Sequence, residues 1–183
     1  MMTTPSNIDI SNEYDYPVDE ARLRDAAMQV LQQHDYAEDA ELTIVLTNNE
    51  QVQGLNAQFR GVNTPTDVLS FPSNLTDEDV PEGEVLYLGD ILIAHPYALA
   101  QAEQEGHDAM DSISLLVVHG VLHLLGFDHD TPEHRAEMWE AQTEALNVLN
   151  ISPTLVPVLE AAPHLGDEEL SGDEETPDDE SEQ

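Results

Sequence analysis

The segment Leu115–Asp130, LLVVHGVLHLLGFDHD, gathers the side chains best suited to chemistry. His119 and His123 are four residues apart, which on a helix puts both imidazoles on one face. Gly126 permits a sharp turn, and His129 follows six residues after His123. Two imidazoles on one helical turn, with a third returned by a glycine, make a three-nitrogen set with an open fourth position. That is the ligand count of a catalytic rather than a structural zinc site. Zinc, one ion per chain, is the first expectation; nickel and copper suit the same ligands. The competing reading of any single residue here is a hydrogen-bonded core histidine. Three at this spacing inside an apolar stretch favour a metal.

The frame His-x3-His-x5-His, with glycine in the second gap, matches the metzincin pattern H-E-x-x-H-x-x-G-x-x-H at every position but one. Gly120 stands where that pattern has its glutamate base. A mid-helix glycine costs about 1 kcal/mol relative to alanine, so Gly120 is expected to serve close approach by a substrate or a neighbouring element. Its presence disfavours peptide hydrolysis by the usual zinc-protease route.

The elements that must position these residues are legible along the chain. Asn7–Asn12 alternates Ile8 and Ile10 with polar neighbours and reads as a short strand. Asp19 can cap a helix to about Gln33, with Leu23, Ala27, Val30 and Leu31 at helical spacing. Leu42–Leu46 reads as a strand and Asn49–Phe59 as a short helix ending before Gly61. Val68–Phe71 is a strand stopped by Pro72, and Ser73–Gly83 is a polar, acidic surface loop. Tyr87–Ala94 is the next strand. Pro96 opens a helix that runs to about Glu105 and ends at Gly106. Asp108 or Asp111 starts the apolar helix that reaches Leu125. Thr131, Pro132 and Glu133 open a last helix to about Leu149. The order β-α-β-α-β-β-α-α-α predicts an α+β (mixed α/β) fold, a small mixed four-stranded sheet packed with about five helices in a single domain over residues 1–152. Residues 153–183 are expected to be an acidic, disordered tail.

Composition sets a second problem. The 183 residues carry 39 Asp+Glu against four Arg, with no Lys and no Cys, for a net charge of −35. Absence of cysteine excludes disulfides, a thiolate nucleophile and sulfur-based metal sites. No apolar run approaches the roughly 18–20 residues of a membrane span, and the first residues have neither a basic segment nor an apolar core. A cytoplasmic protein without membrane contact is therefore expected. Eleven acids fall in 160–183, so the first 159 residues keep 28 acids against four arginines. Taken alone, that balance argues against a polyanion-binding protein. A surface suited to concentrated salt, where self-repulsion is screened, is the other reading.

HGVLHLLGFDH resembles the signature of the YbeY family of bacterial endoribonucleases, also called rRNA maturation factors. The resemblance extends to Leu55–Pro72 (LNAQFRGVNTPTDVLSFP) and to Leu88–Ile91 (LGDI), spanning about residues 42–148. It implies zinc on His119, His123 and His129 and a functional arginine at Arg60. It further implies single-strand-specific, metal-dependent RNA cleavage in maturation of the 16S rRNA 3′ end and in ribosome quality control. The implied partners are rRNA, the small ribosomal subunit, one of its proteins and the GTPase Era. Chemistry agrees at Arg60: a guanidinium can grip two phosphate oxygens and offset transition-state charge. Its competing role is a salt bridge to Asp67 or Asp90. The base could be a metal-bound hydroxide, Asp128 or His134. Asp128 could alternatively support an imidazole or serve the turn. Asp90 could support the site, and Thr66, Asp67 and Ser70 could line a groove or serve turn and strand-end chemistry. His34, His95, His107 and His164 are expected to be structural, and Trp139 to be core. A zinc peptidase and a non-catalytic ribosome-biogenesis factor with structural zinc are the rival functions.

Overall fold

Local signals place the elements. In the computed structural model, which describes residues 7–36, 40–75, 77–81 and 83–152, four helices begin at side-chain caps. Asp19 caps α1 (Glu20–Gln33), Asn48 caps α2 (Asn49–Arg60), Asp108 caps α4 (Ala109–Leu124) and Thr131 caps α5 (Pro132–Val148). Each cap oxygen accepts from the backbone N–H three residues on, satisfying a donor the helix leaves open. Helix α3 (His95–Glu105) begins instead with Pro96 in its first turn. The strands are β1 (Ile8–Ser11), β2 (Ala40–Thr47), β3 (Val68–Pro72) and β4 (Leu86–Ala94). One short 3-10 turn, Asp77–Asp79, lies in the connection between β3 and β4.

The sheet runs β1-β2-β4-β3. β1 is parallel to β2 and β2 to β4, while β3 lies antiparallel on the far edge of β4. The expected α+β architecture, a mixed four-stranded sheet with five helices, is what forms. The expected acidic tail falls on 153–183, outside the described residues.

Helix α4 is the centre of the molecule. Every residue from Ile113 to Leu122 is buried, as expected of a helix apolar all round. Its apolar side chains share one core with α1, α5 and the sheet, including Leu23, Ile44, Ile91 and Leu146. A smaller cluster joins Val52 of α2 to Leu69 of β3 and Ala94 of β4.

Two glycines let the layers meet. A Cβ on Gly120 would lie 2.8 Å from Ile91 Cγ2, so the glycine seats α4 on β4. The sequence left a substrate or a neighbouring element as the reason for Gly120; the neighbour is Ile91. Gly89 sits at φ +140°, where a Cβ would come within 2.2 Å of the Phe71 carbonyl oxygen. Beside it the β2–β4 register slips between Glu41 and Leu42, an irregularity of the kind glycine permits in a strand. Arg22 bridges α1 to the start of α4 through Asp111 at 2.6 Å.

Candidate metal centre

The last two turns of α4 carry His119 and His123 on one face. The chain then reverses. Gly126 adopts φ +102°, its N–H donates to the His123 carbonyl, and Phe127 N–H donates back to the Leu122 carbonyl. A side chain is disfavoured in that left-handed region, so the glycine makes the return possible. The turn brings His129 back to α4. One ligand nitrogen from each of the three imidazoles lies within 4.8 Å of the other two. Among the described residues, no carboxylate joins the group.

The donor chemistry fits a cation. His123 Nδ1 stands 3.0 Å from the Phe127 carbonyl oxygen. A carbonyl only accepts, so Nδ1 holds the proton and Nε2 presents its lone pair. That Nε2 faces His119 Nε2 at 3.0 Å. Two nitrogen ligands of a tetrahedral zinc are about 3.3 Å apart, given Zn–N bonds of about 2.0–2.1 Å. Electrostatics favours the same protonation state: the His123 pKa is lowered to about 4. Burial is the main cause, with the neighbouring His129 and the positive charge of Arg60 acting in the same direction; Asp128 and the Phe127 carbonyl oppose them. A neutral imidazole at neutral pH is the ligand form.

Arg60 ends α2, where a cation complements the helix C-terminus, and Gly61 closes that helix at φ +70°. Its side chain is exposed and forms no ion pair among the described residues, so neither Asp67 nor Asp90 holds it. Asp90 instead accepts from the Tyr87 hydroxyl, whose oxygen in turn accepts from the Thr43 hydroxyl at 2.8 Å. Asp67 is half-buried; loss of hydration raises its pKa to about 6, partly offset by its own N–H, the Val68 N–H and the Thr66 hydroxyl. Ser70 Oγ donates to the Gly120 carbonyl at 3.3 Å and ties β3 to α4. Asp128 accepts from the His129 N–H at 2.8 Å, a turn contact.

Two of the histidines expected to be structural make ring contacts away from the three-histidine group. His95 stacks on Tyr16 at 4.4 Å, and His34 packs against Phe127 at 5.1 Å. His164 lies outside the described residues. Two residues on α5 were not anticipated at the site. Trp139, expected in the core, is half-buried with its ring 6.0 Å from His119 and 6.2 Å from His129. Gln142 is fully buried, with Oε1 3.1 Å from His119 Nδ1. The one sequence signal for Gln142 was an amide on the apolar stripe of Met138, Ala141, Ala145 and Leu146.

Residues 8–150 match the family Endoribonuclease YbeY. The chain belongs to the YbeY endoribonuclease family. A YbeY endoribonuclease of Pelotomaculum thermopropionicum is 42% identical over 138 residues, 74% of this chain and 91% of the relative. One from Brevibacillus brevis is 38% identical over 157 residues, 80% of this chain and 98% of the relative. Among solved structures, a Thermotoga maritima protein determined in solution shares the fold at a TM-score of 0.54 and 26% identity, covering 86% of this chain and 98% of its own. The YbeY match spans all three histidines, Arg60 and Gln142.

Proposed function

We propose that this chain is a zinc-dependent endoribonuclease that hydrolyses single-stranded RNA in rRNA processing. The 3′ end of 16S rRNA is its substrate region and ribosome quality control its setting. The observation that carries the reading is the convergence of three imidazole nitrogens within 4.8 Å, with the charge of Arg60 acting on His123. Membership of a family named for endoribonuclease activity selects RNA over peptide.

His119, His123 and His129 would hold the zinc. When bound, it supplies Lewis acidity toward a phosphate oxygen and acidifies a water ligand. The protein's own part is electrostatic and positional. Depression of the His123 pKa keeps its lone pair available at neutral pH. Arg60, unpaired among the described residues, is free to grip non-bridging phosphate oxygens and offset charge as it builds in the transition state. Asp128 is better placed than His134 to take a proton. Its charge acts on His123, whereas His134 Nδ1 is engaged by Asp130 at 2.6 Å, a contact that raises the imidazole pKa. The small ribosomal subunit, one of its proteins and the GTPase Era are the partners this role would require, and the cytoplasm is its place.

The rival of a structural zinc site needs a fourth protein ligand, and none stands with the three histidines among the described residues. The deciding experiment combines metal analysis with cleavage of an rRNA 3′-end precursor, with and without chelator. Zinc at one per chain and chelator-sensitive cleavage are expected. Stoichiometric zinc without cleavage, on free RNA or on the ribosome, would favour the non-catalytic rival.

A further inference from the structure

We infer that Gln142 is the positioning residue that makes His119 a metal ligand, by choosing its tautomer. The inference rests on reading the three histidines as a metal site. His119 has two competing ways to place its single ring proton. With the proton on Nε2, it donates across 3.0 Å to the His123 lone pair. The two imidazoles then satisfy each other, and the nitrogen needed for the metal is blocked. With the proton on Nδ1, both Nε2 lone pairs face the space a cation would fill.

His123 cannot make this choice for its neighbour, because its own proton is committed to the Phe127 carbonyl. The choice falls to whatever faces His119 Nδ1. That group is the Gln142 carbonyl oxygen at 3.1 Å, an acceptor that favours a proton on Nδ1. Gln142 is fully buried on α5 and His119 is 1% exposed, so water does not compete strongly for the contact. The bond spans 23 residues of sequence and joins two helices. It thereby orients the ring as well as setting its tautomer, as outer partners of metal-bound histidine generally do.

Trp139, the only tryptophan, lies about one ring's width from His119 and His129 and offers an optical report of metal occupancy. Zinc is titrated into the metal-free full chain, into Gln142→Leu and into Gln142→Glu. Binding is followed by Trp139 fluorescence in competition with a chelating indicator, and folding by circular dichroism. Gln142→Leu should bind zinc roughly 10–100-fold more weakly. Gln142→Glu keeps an acceptor and should bind at least as tightly as the parent. Nitrogen-15 spectra of the zinc-loaded parent should show the His119 proton on Nδ1, a measurement that needs no variant. A leucine variant that binds as well as the parent, or a loaded parent with His119 protonated on Nε2, overturns the inference and leaves the metal site standing. A parent that binds zinc no better than His123→Ala overturns the metal site and this inference together.

Discussion

His119, His123 and His129 are within reach of one ion, and each should be necessary to hold it. His123→Ala should abolish stoichiometric metal and RNA cleavage together; cleavage retained by the metal-free variant would refute the mechanism. The same variant isolates a pH effect. In the unfolded chain His123 takes up a proton near the ordinary histidine value of about 6.5, but in the folded chain only near 4. Between those values the unfolded state binds more protons, so acid favours unfolding. In chelator, the melting temperature of the parent relative to His123→Ala should therefore fall as pH drops from about 6.5 to 4, then level off. A difference independent of pH would contradict the depressed value. Arg60→Glu tests the other half of the site. Metal content and melting temperature should be spared, while kcat for RNA cleavage falls by roughly 10²-fold or more, the scale of losing one transition-state donor. Near-normal cleavage would make Arg60 structural.

At the scale of elements, the active geometry depends on how closely α4 sits on the sheet. Gly120→Ala would gain about 1 kcal/mol of helix propensity but drive a Cβ to 2.8 Å from Ile91 Cγ2. Overpacking of this kind costs about 1–3 kcal/mol, so the expected net result is a lower melting temperature. Ile91→Ala in the same chain should lessen the loss that Gly120→Ala causes. Gly89→Ala should be the more damaging change. Its Cβ would meet a backbone oxygen at 2.2 Å, and β3 must move off β4 to make room. Thermal melts of the three variants order these effects; a neutral Gly89→Ala would contradict the packing described. The elements themselves were legible before the structure, because caps are local. Asp19, Thr131, Gly61 and Gly106 stand at the helix ends they mark, and of the two acids offered for the start of α4 it is Asp108 that caps it.

For the whole molecule, a net charge of −35 has to be reconciled with an RNA substrate. Among the described residues, only two ion pairs form, Arg22–Asp111 and His134–Asp130. Little of the negative surface is therefore neutralised within the fold. Screening shortens the reach of exposed charge from about 10 Å at 0.1 M salt to about 3 Å at 1 M. Both stability and RNA cleavage should hold or rise over that range, since the proposed contacts are one arginine and a metal rather than a basic face. An enzyme bound through many phosphate contacts would weaken steeply instead. Loss of both melting temperature and cleavage with added salt would count against this account.

The sequence by itself determined the element order, the helix ends at Asp19, Gly61, Gly106 and Thr131 and the three-histidine frame, all set by short-range spacing. It also carried the YbeY signature. Only the tertiary structure decided what meets across the chain. It put Ile91 beneath Gly120, gave Asp90 to Tyr87 rather than to Arg60, and placed Trp139 and Gln142 against His119. The physical reason is that a helical stripe specifies which face is buried but not what it is buried against. Gln142 reads in sequence as a polar interruption of an apolar stripe; the packing of α5 on α4 turns that interruption into a hydrogen bond to His119.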